Sequence, residues 1–212
     1  MKDFKLLGFY NYTVVLTYIG MLSGFVGRVY ILKGNPLASV MCLMLAGLCD
    51  MFDGTVASFR KRNEKDKCFG IQIDSLSDFL CFGVLPALFV YHQNMNGVIA
   101  VTVAFLYLLC ALIRLAYFNV DEQDRSAGTN EPRKIYYGLP VTVSAIIFPA
   151  IFLICNYFSF KTRTVLVCAM AATAVLFVLP FRMKKPGFIG KIFVLLSGVI
   201  EFILLVLSGG DI

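Results

Sequence analysis

The sequence predicts an all-α integral membrane protein, a single transmembrane domain over residues 1–212 with about seven membrane-crossing helices and a cytoplasmic N-terminus. Three observations carry this prediction. Hydrophobic residues make up 59% of the 212 and charged residues only 15%, with a mean hydropathy of +0.81, far from the composition of soluble domains. The apolar residues gather in runs of about 20, the length a helix needs to cross the hydrocarbon core. Within each run they are continuous rather than alternating, which excludes a membrane β-barrel. No nucleic-acid partner is expected of such a chain.

Taken in order, the runs lie near residues 12–33, 36–58, 70–91, 96–120, 138–159, 163–181 and 187–208. Residues 2–10 precede them as a possible short interfacial helix, with Phe4, Leu6, Leu7 and Phe9 toward the membrane. The first run is too long for a secretory signal and is followed by several more, so no cleaved leader is expected. The polar stretch DEQDRSAGTNEPRK, residues 121–134, reads as a cytoplasmic loop. Seven cysteines are scattered without zinc or disulfide spacing and read as small packing residues. No internal repeat supports an inverted-repeat transporter.

Charge fixes the predicted orientation. Lys2, Lys5, Arg60, Lys61, Arg62, Lys65, Lys67, Arg125, Arg133, Lys134, Arg182, Lys184, Lys185 and Lys191 fall on one side; Arg28, Lys33, Lys161 and Arg163 fall on the other. By the positive-inside rule the first side is cytoplasmic and the C-terminus is outside. Arg114 remains inside the fourth run.

The stretch CDMFDGTVASFRKRNEKDKCFGIQIDSLSD, residues 49–78, sets Asp50, Asp53, Asp74 and Asp78 where the second and third runs meet. Positions three and four apart share a helix face. Asp50, Asp53, Gly54 and Ala57 therefore form one stripe, and Gly70, Asp74 and Asp78 another. Facing lipid, each ionised aspartate would cost about 2.5–3.5 kcal/mol, a sum comparable to the roughly 5–15 kcal/mol that stabilises a whole domain. They are expected to face inward, where the single Arg114 cannot neutralise them. Carboxylate oxygens suit Mg2+ or Mn2+, and no His or Cys lies in the two stripes to favour zinc. Two such ions could grip a diphosphate and stabilise a transferring phosphoryl group. Gly54, Ala57 and Gly70 would clear space beside the carboxylates. A structural ion-pair network or a proton relay is the simpler account of one lone membrane acid, but not of four at this spacing. Both pairs point to the cytoplasmic leaflet. Arg114 and Asn119 reach that level at the end of the fourth run, and Tyr137, Gly138 and Ser144 at the start of the fifth, so one cavity could be lined by all of them.

Asp50-x2-Asp53-Gly54-x2-Ala57, followed by Gly70-x3-Asp74-x3-Asp78, resembles the hallmark of the CDP-alcohol phosphotransferases. These membrane enzymes move a phosphatidyl or phosphoalcohol group from a CDP-linked donor to an alcohol and release CMP. The resemblance covers residues 50–78 directly and extends to roughly residue 150. It implies a six-helix core with its active-site helices over 36–91. Within the family, DSLSDFLCFGVLPA (74–87), RLAYFN (114–119) and YYGLP (136–140) are most similar to phosphatidylserine synthases, and Ser75 tilts the acceptor toward serine. Two departures stand out. Ser58 occupies the place where the family usually carries an arginine for the donor's phosphates, and the spacer before Gly70 is about three residues longer than usual. Arg60, Lys61 or Arg62 could supply the missing charge.

The resemblance implies that Asp50, Asp53 and Asp74 are the principal ligands of two divalent cations, with Asp78 near the second ion and serving as general base. It also implies that Gly54, Ala57 and Gly70 border the CDP-linked donor, CDP-diacylglycerol; Ser58, at the family's arginine position, and Arg60 and Arg62 from the lengthened turn are the further donor-side candidates. Arg114 is the candidate for a substrate carboxylate or phosphate, and Asn119, Tyr137 and Ser144 complete the candidate acceptor pocket. The implied reaction is transfer of the phosphatidyl group to L-serine; glycerol 3-phosphate and inositol phosphate are the alternative acceptors. A homodimer in the cytoplasmic membrane is the assembly implied by relatives. Membrane prenyltransferases also hold diphosphate through Asp-rich motifs, but those come from well-separated parts of a chain. An ion or proton transporter would spread its acids over several depths.

Overall fold

The computed structural model describes residues 8, 12–58, 63–93, 97–128, 135–158, 161–184 and 187–208. Among them run seven long helices: α1 Val15–Leu32, α2 Pro36–Ser58, α3 Glu64–Gln93, α4 Val98–Gly128, α5 Ser144–Tyr157, α6 Thr162–Val178 and α7 Phe188–Ser208. Five of them (α1, α2, α3, α4 and α7) are long and apolar enough to cross a bilayer; α5, with the turn before it, and α6 are shorter apolar helices. The chain is thus an all-α, multi-pass membrane protein. The proposed interfacial helix at 2–10 lies outside the described residues apart from Gly8.

The α1–α2 turn is written locally. Gly34 takes a left-handed φ of +76°, Asn35 Oδ1 accepts the Ala38 amide at 2.9 Å, and Pro36 opens α2 where its missing N–H costs nothing. Small residues then bring α1 against its neighbours. A Cβ at Gly20 would stand 3.2 Å from Cys49 Cβ, one at Gly24 would stand 2.6 Å from Cys81 Sγ, and one at Gly27 would stand 2.9 Å from a Leu85 methyl. Backbones that close gain dispersion contacts that lipid cannot replace. All seven cysteines are free: Cys49, Cys81 and Cys155 are buried and Cys42 and Cys110 half-buried, as packing residues would be, whereas Cys68 and Cys168 are exposed.

Two elements depart from the periodicity-based expectation at their polar ends. α3 starts at Glu64, six residues before the predicted run, because Asn63 caps it by accepting the Asp66 amide at 2.8 Å and Glu64 and Asp66 favour the first turn. α4 continues through Gly128, so residues 121–128 are helical rather than loop; its 31 residues reach about 46 Å, well past a hydrocarbon core of about 30 Å. Apolar runs report only the part of a helix that lies in lipid.

A small antiparallel pair was not expected at all. β1 Ile135–Tyr137 pairs with β2 Arg182–Lys184, with Tyr136 opposite Met183. Gly138, at φ +74°, ends β1, and a Cβ there would lie 2.8 Å from the Phe177 carbonyl oxygen. The pair fastens the entry to α5 onto the segment between α6 and α7.

α3 also contains a π-helical turn, Phe79–Val84, directly after Asp78. Two side chains meet its carbonyls: Arg28 donates to Leu80 O, and the Tyr107 hydroxyl to Phe82 O at 2.6 Å. Tyr107, fully buried on α4, also lies 2.7 Å from Ser144 Oγ and stacks edge-on against Phe148. That buried knot ties α3, α4 and α5 together.

Candidate active site

α2 and α3 carry their acidic stripes into the same space. Asp50, Asp74 and Asp78 each offer a carboxylate oxygen, all within 4.8 Å of one another. Asp50 also lies in hydrogen-bonding reach of Asp78, and Asp53 in reach of Asp74. Asp53 turns differently from the other three: it is 8% exposed and accepts a 3.1 Å hydrogen bond from Thr17 Oγ1 of α1. Ser77, next to Asp78, bonds back to the Thr17 carbonyl at 3.4 Å. α1 therefore braces both acidic helices.

Asp50, Asp74 and Asp78 open into a cavity of about 710 Å3, within the usual range for a small-molecule site. Gly54 and Arg114 share its wall, and apolar side chains of α2, α4, α5 and α7 supply most of the rest. Arg114 is 7% exposed; its Nε donates to the Leu139 carbonyl at 3.2 Å, and its guanidinium lies 5.8 Å from the Phe118 ring centre. A Cβ at Gly54 would meet nothing within 4 Å, so this glycine leaves open room beside the carboxylates.

The donor set suits a hard divalent cation. Three carboxylates so close repel one another by roughly 4 kcal/mol per pair at 4 Å in an effective dielectric of 20, and oxygen ligands without sulfur or imidazole match Mg2+ or Mn2+. Asp50, Asp74 and Asp78 can converge on one ion, with Asp53 beside Asp74 as the fourth carboxylate.

Other predicted residues are more dispersed. Asn119 does not line the cavity: it accepts from Ser75 Oγ at 2.7 Å and donates weakly to Gln72 at 3.4 Å. Two of the segments singled out in the sequence thus meet each other directly, Ser75 on α3 and Asn119 on α4. Ser144 is fully buried with its hydroxyl 2.6 Å from the Val141 carbonyl, which leaves it no face toward a substrate. Tyr137 pairs with Arg182 in the β1–β2 ladder and stands off the cavity. Gly70 lies on α3 one turn before Asp74, away from the wall. Ala57 and Ser58 close α2; their side chains, with Arg60, Lys61 and Arg62, fall outside the described residues.

Three contributors to the site, and one half-buried acid outside it, escaped the sequence. Thr17 and Tyr107 sit in apolar runs and act through partners distant in the chain. Lys191, counted only as a positive-inside charge, stands in the cavity wall. Glu201, an acid inside the last apolar run and off the cavity wall, has a carboxylate oxygen sealed from solvent with no hydrogen-bond partner among the described residues; its charge in that run was a readable signal.

A family model for CDP-alcohol phosphatidyltransferase matches residues 10–179. The chain belongs to the CDP-alcohol phosphatidyltransferase family. The match takes in α1 to α6 and every predicted site residue, and it ends before α7. Among curated relatives, the archaetidylserine synthase of Methanothermobacter thermautotrophicus is 33% identical over 155 residues, covering 72% of this chain and 62% of that protein. The CDP-diacylglycerol–serine O-phosphatidyltransferase of Saccharomyces cerevisiae is 35% identical over 138 residues, 58% of this chain and 48% of the relative. Its counterpart from Helicobacter pylori is 32% identical over 151 residues, 70% and 58% respectively. The chain thus spans between 48% and 62% of the lengths of these relatives.

Proposed function

We propose that this protein transfers the phosphatidyl group of CDP-diacylglycerol to the hydroxyl of L-serine, forming phosphatidylserine and releasing CMP. The observation that carries this reading is the convergence of Asp50, Asp74 and Asp78 on a membrane-embedded cavity, in a family member whose relatives are named for serine transfer.

Asp50, Asp53 and Asp74, with Asp78 alongside, are the residues that would hold two Mg2+ or Mn2+ ions. When bound, these ions neutralise the donor's diphosphate and the charge that develops on the leaving CMP. Asp78 serves as general base: it takes the proton of the serine hydroxyl as that oxygen bonds to the lipid-bearing phosphorus and the phosphoanhydride bond to CMP breaks. Thr17 keeps Asp53 oriented by its hydrogen bond. Arg114, held by the Leu139 carbonyl, presents a fixed fork to a substrate carboxylate or phosphate. Gly54 leaves the donor's head close access to α2, with Ala57, Ser58, Arg60 and Arg62 as the further donor-side residues. The excess of Lys and Arg at the acidic end of the bundle supports a cytoplasm-facing site in the cytoplasmic membrane, and the family supports a homodimer.

The deciding experiment incubates purified protein with CDP-diacylglycerol, Mn2+ or Mg2+, and serine, glycerol 3-phosphate or inositol phosphate in turn. CMP release that needs serine, is abolished by EDTA and returns with added Mn2+ is the expected result. Equal release with another alcohol in place of serine overturns the acceptor and keeps the reaction class; no release with any alcohol overturns both.

A further inference from the structure

The six α7 residues in the cavity wall are Lys191, Val194, Leu195, Gly198, Val199 and Phe202. Their spacing is i, i+3, i+4, i+7, i+8, i+11, a single helical face. Its chemistry is graded: one cation at the end nearest β2, then only apolar side chains. From Lys191 to Phe202 the stripe runs about 16 Å at 1.5 Å per residue, close to half of a hydrocarbon core of about 30 Å, the depth of one leaflet. Midway, Gly198 faces open space, with nothing within 4 Å of the position its Cβ would take. Lys191 itself has no side-chain hydrogen bond or ion pair with any described residue. The same cavity is lined by Asp50, Asp74 and Asp78, with Arg114 as the other cation in its wall among the described residues.

We infer that α7, which lies beyond the family-matched region, is the donor-recognition wall of the site: Lys191 binds the phosphate of the lipid donor, and the stripe past it, notched at Gly198, seats one of the donor's acyl chains. This rests on the proposed reaction and assigns its lipid-side specificity. A cation at the shallow end followed by one leaflet's depth of apolar surface is complementary to a molecule with an anionic head and a long tail. The small, wholly polar serine could use the charge but not the stripe. The remaining carboxylates and Arg114 are thereby left to the reacting end of the site.

The test varies CDP-dioleoylglycerol and serine separately and follows CMP release by the full chain in mixed micelles. Lys191→Met is expected to raise the KM for the lipid donor by about tenfold, the loss typical of one hydrogen bond to a charged group. The KM for serine should stay within about twofold, and Lys191→Arg should restore most of the donor affinity. Gly198→Phe fills open space and should cut kcat/KM for the dioleoyl donor about tenfold while sparing a dihexanoyl donor. A Lys191→Met effect on serine KM instead, a fall in kcat with both KM values unchanged, or a Gly198→Phe loss that ignores chain length overturns the inference. If the wild-type protein turns over no alcohol at all, the proposed reaction fails by itself. Binding of radiolabelled CDP-dioleoylglycerol to the wild type and to Lys191→Met then decides the donor wall separately: weaker binding by the variant upholds it, and equal binding overturns it.

Discussion

α3 and α7 line the same cavity yet are built to opposite rules. In its most apolar window α3 is 50% buried within the protein, and α7 only 6%. α3 is clamped by glycines of α1, by Tyr107 of α4 and by Arg28, whereas α7 leans on α2 and α5 with most of its surface left to lipid. The side that carries the carboxylates proposed to act on the substrate is fixed by short backbone approaches that leave little freedom of position. The side proposed to meet the lipid donor is open. Such a division suits a chemistry that needs carboxylates held within fractions of an ångström but must admit a substrate from the bilayer.

Predictions that probe this contrast descend in size from the clamped side to the open one. Asp78→Asn should lower CMP release by about 10²–10⁴-fold, the range of a lost general base, with unchanged melting temperature and gel-filtration profile. Substantial residual turnover would remove Asp78 as the base and weaken the view that α3 is held rigid for catalysis. Gly24→Leu should push α1 off α3, since even a Cβ there would meet Cys81; overpacking of this kind costs about 1–3 kcal/mol, visible as a lower melting temperature in detergent. Thr17→Val, which keeps shape but removes the donor to Asp53, should cost about 3- to 10-fold in kcat with little effect on stability, the size of one hydrogen bond. At the open end, Gly198→Ala should leave the melting temperature unchanged or slightly raised, because the new methyl meets nothing and helix propensity gains up to about 1 kcal/mol. A destabilised Gly198→Ala protein would erase the distinction between the two helices.

What could be read from the chain alone follows from the range of each interaction. The two acidic stripes were legible because a 3.6-residue period places Asp50 with Asp53 and Asp74 with Asp78 with no knowledge of the fold. The helices were legible in lipid and blurred outside it, as the early start of α3 at Glu64 and the extension of α4 to Gly128 show. The β1–β2 pair was not legible, since each strand is three residues long and its partner lies 45 or more positions away. Nor was the separate turn of Asp53 toward Thr17, 36 residues earlier, because periodicity says which face a side chain is on and not which neighbour it meets. Asn119 and Ser144 were recognisable as polar residues of matching depth, yet depth did not reveal that Ser75 and Tyr107 already occupy them.

The π-helical turn after Asp78 resets the azimuth of α3. Holding one surplus residue in the turn rotates everything beyond it by about 100° relative to an unbroken α-helix. Upstream of the turn the helix shows α2 its carboxylates; within the turn Cys81, and just beyond it Leu85, meet the glycines of α1. In an unbroken α-helix through 79–84, Leu85 would stand about 100° round from its present place against Gly27 of α1.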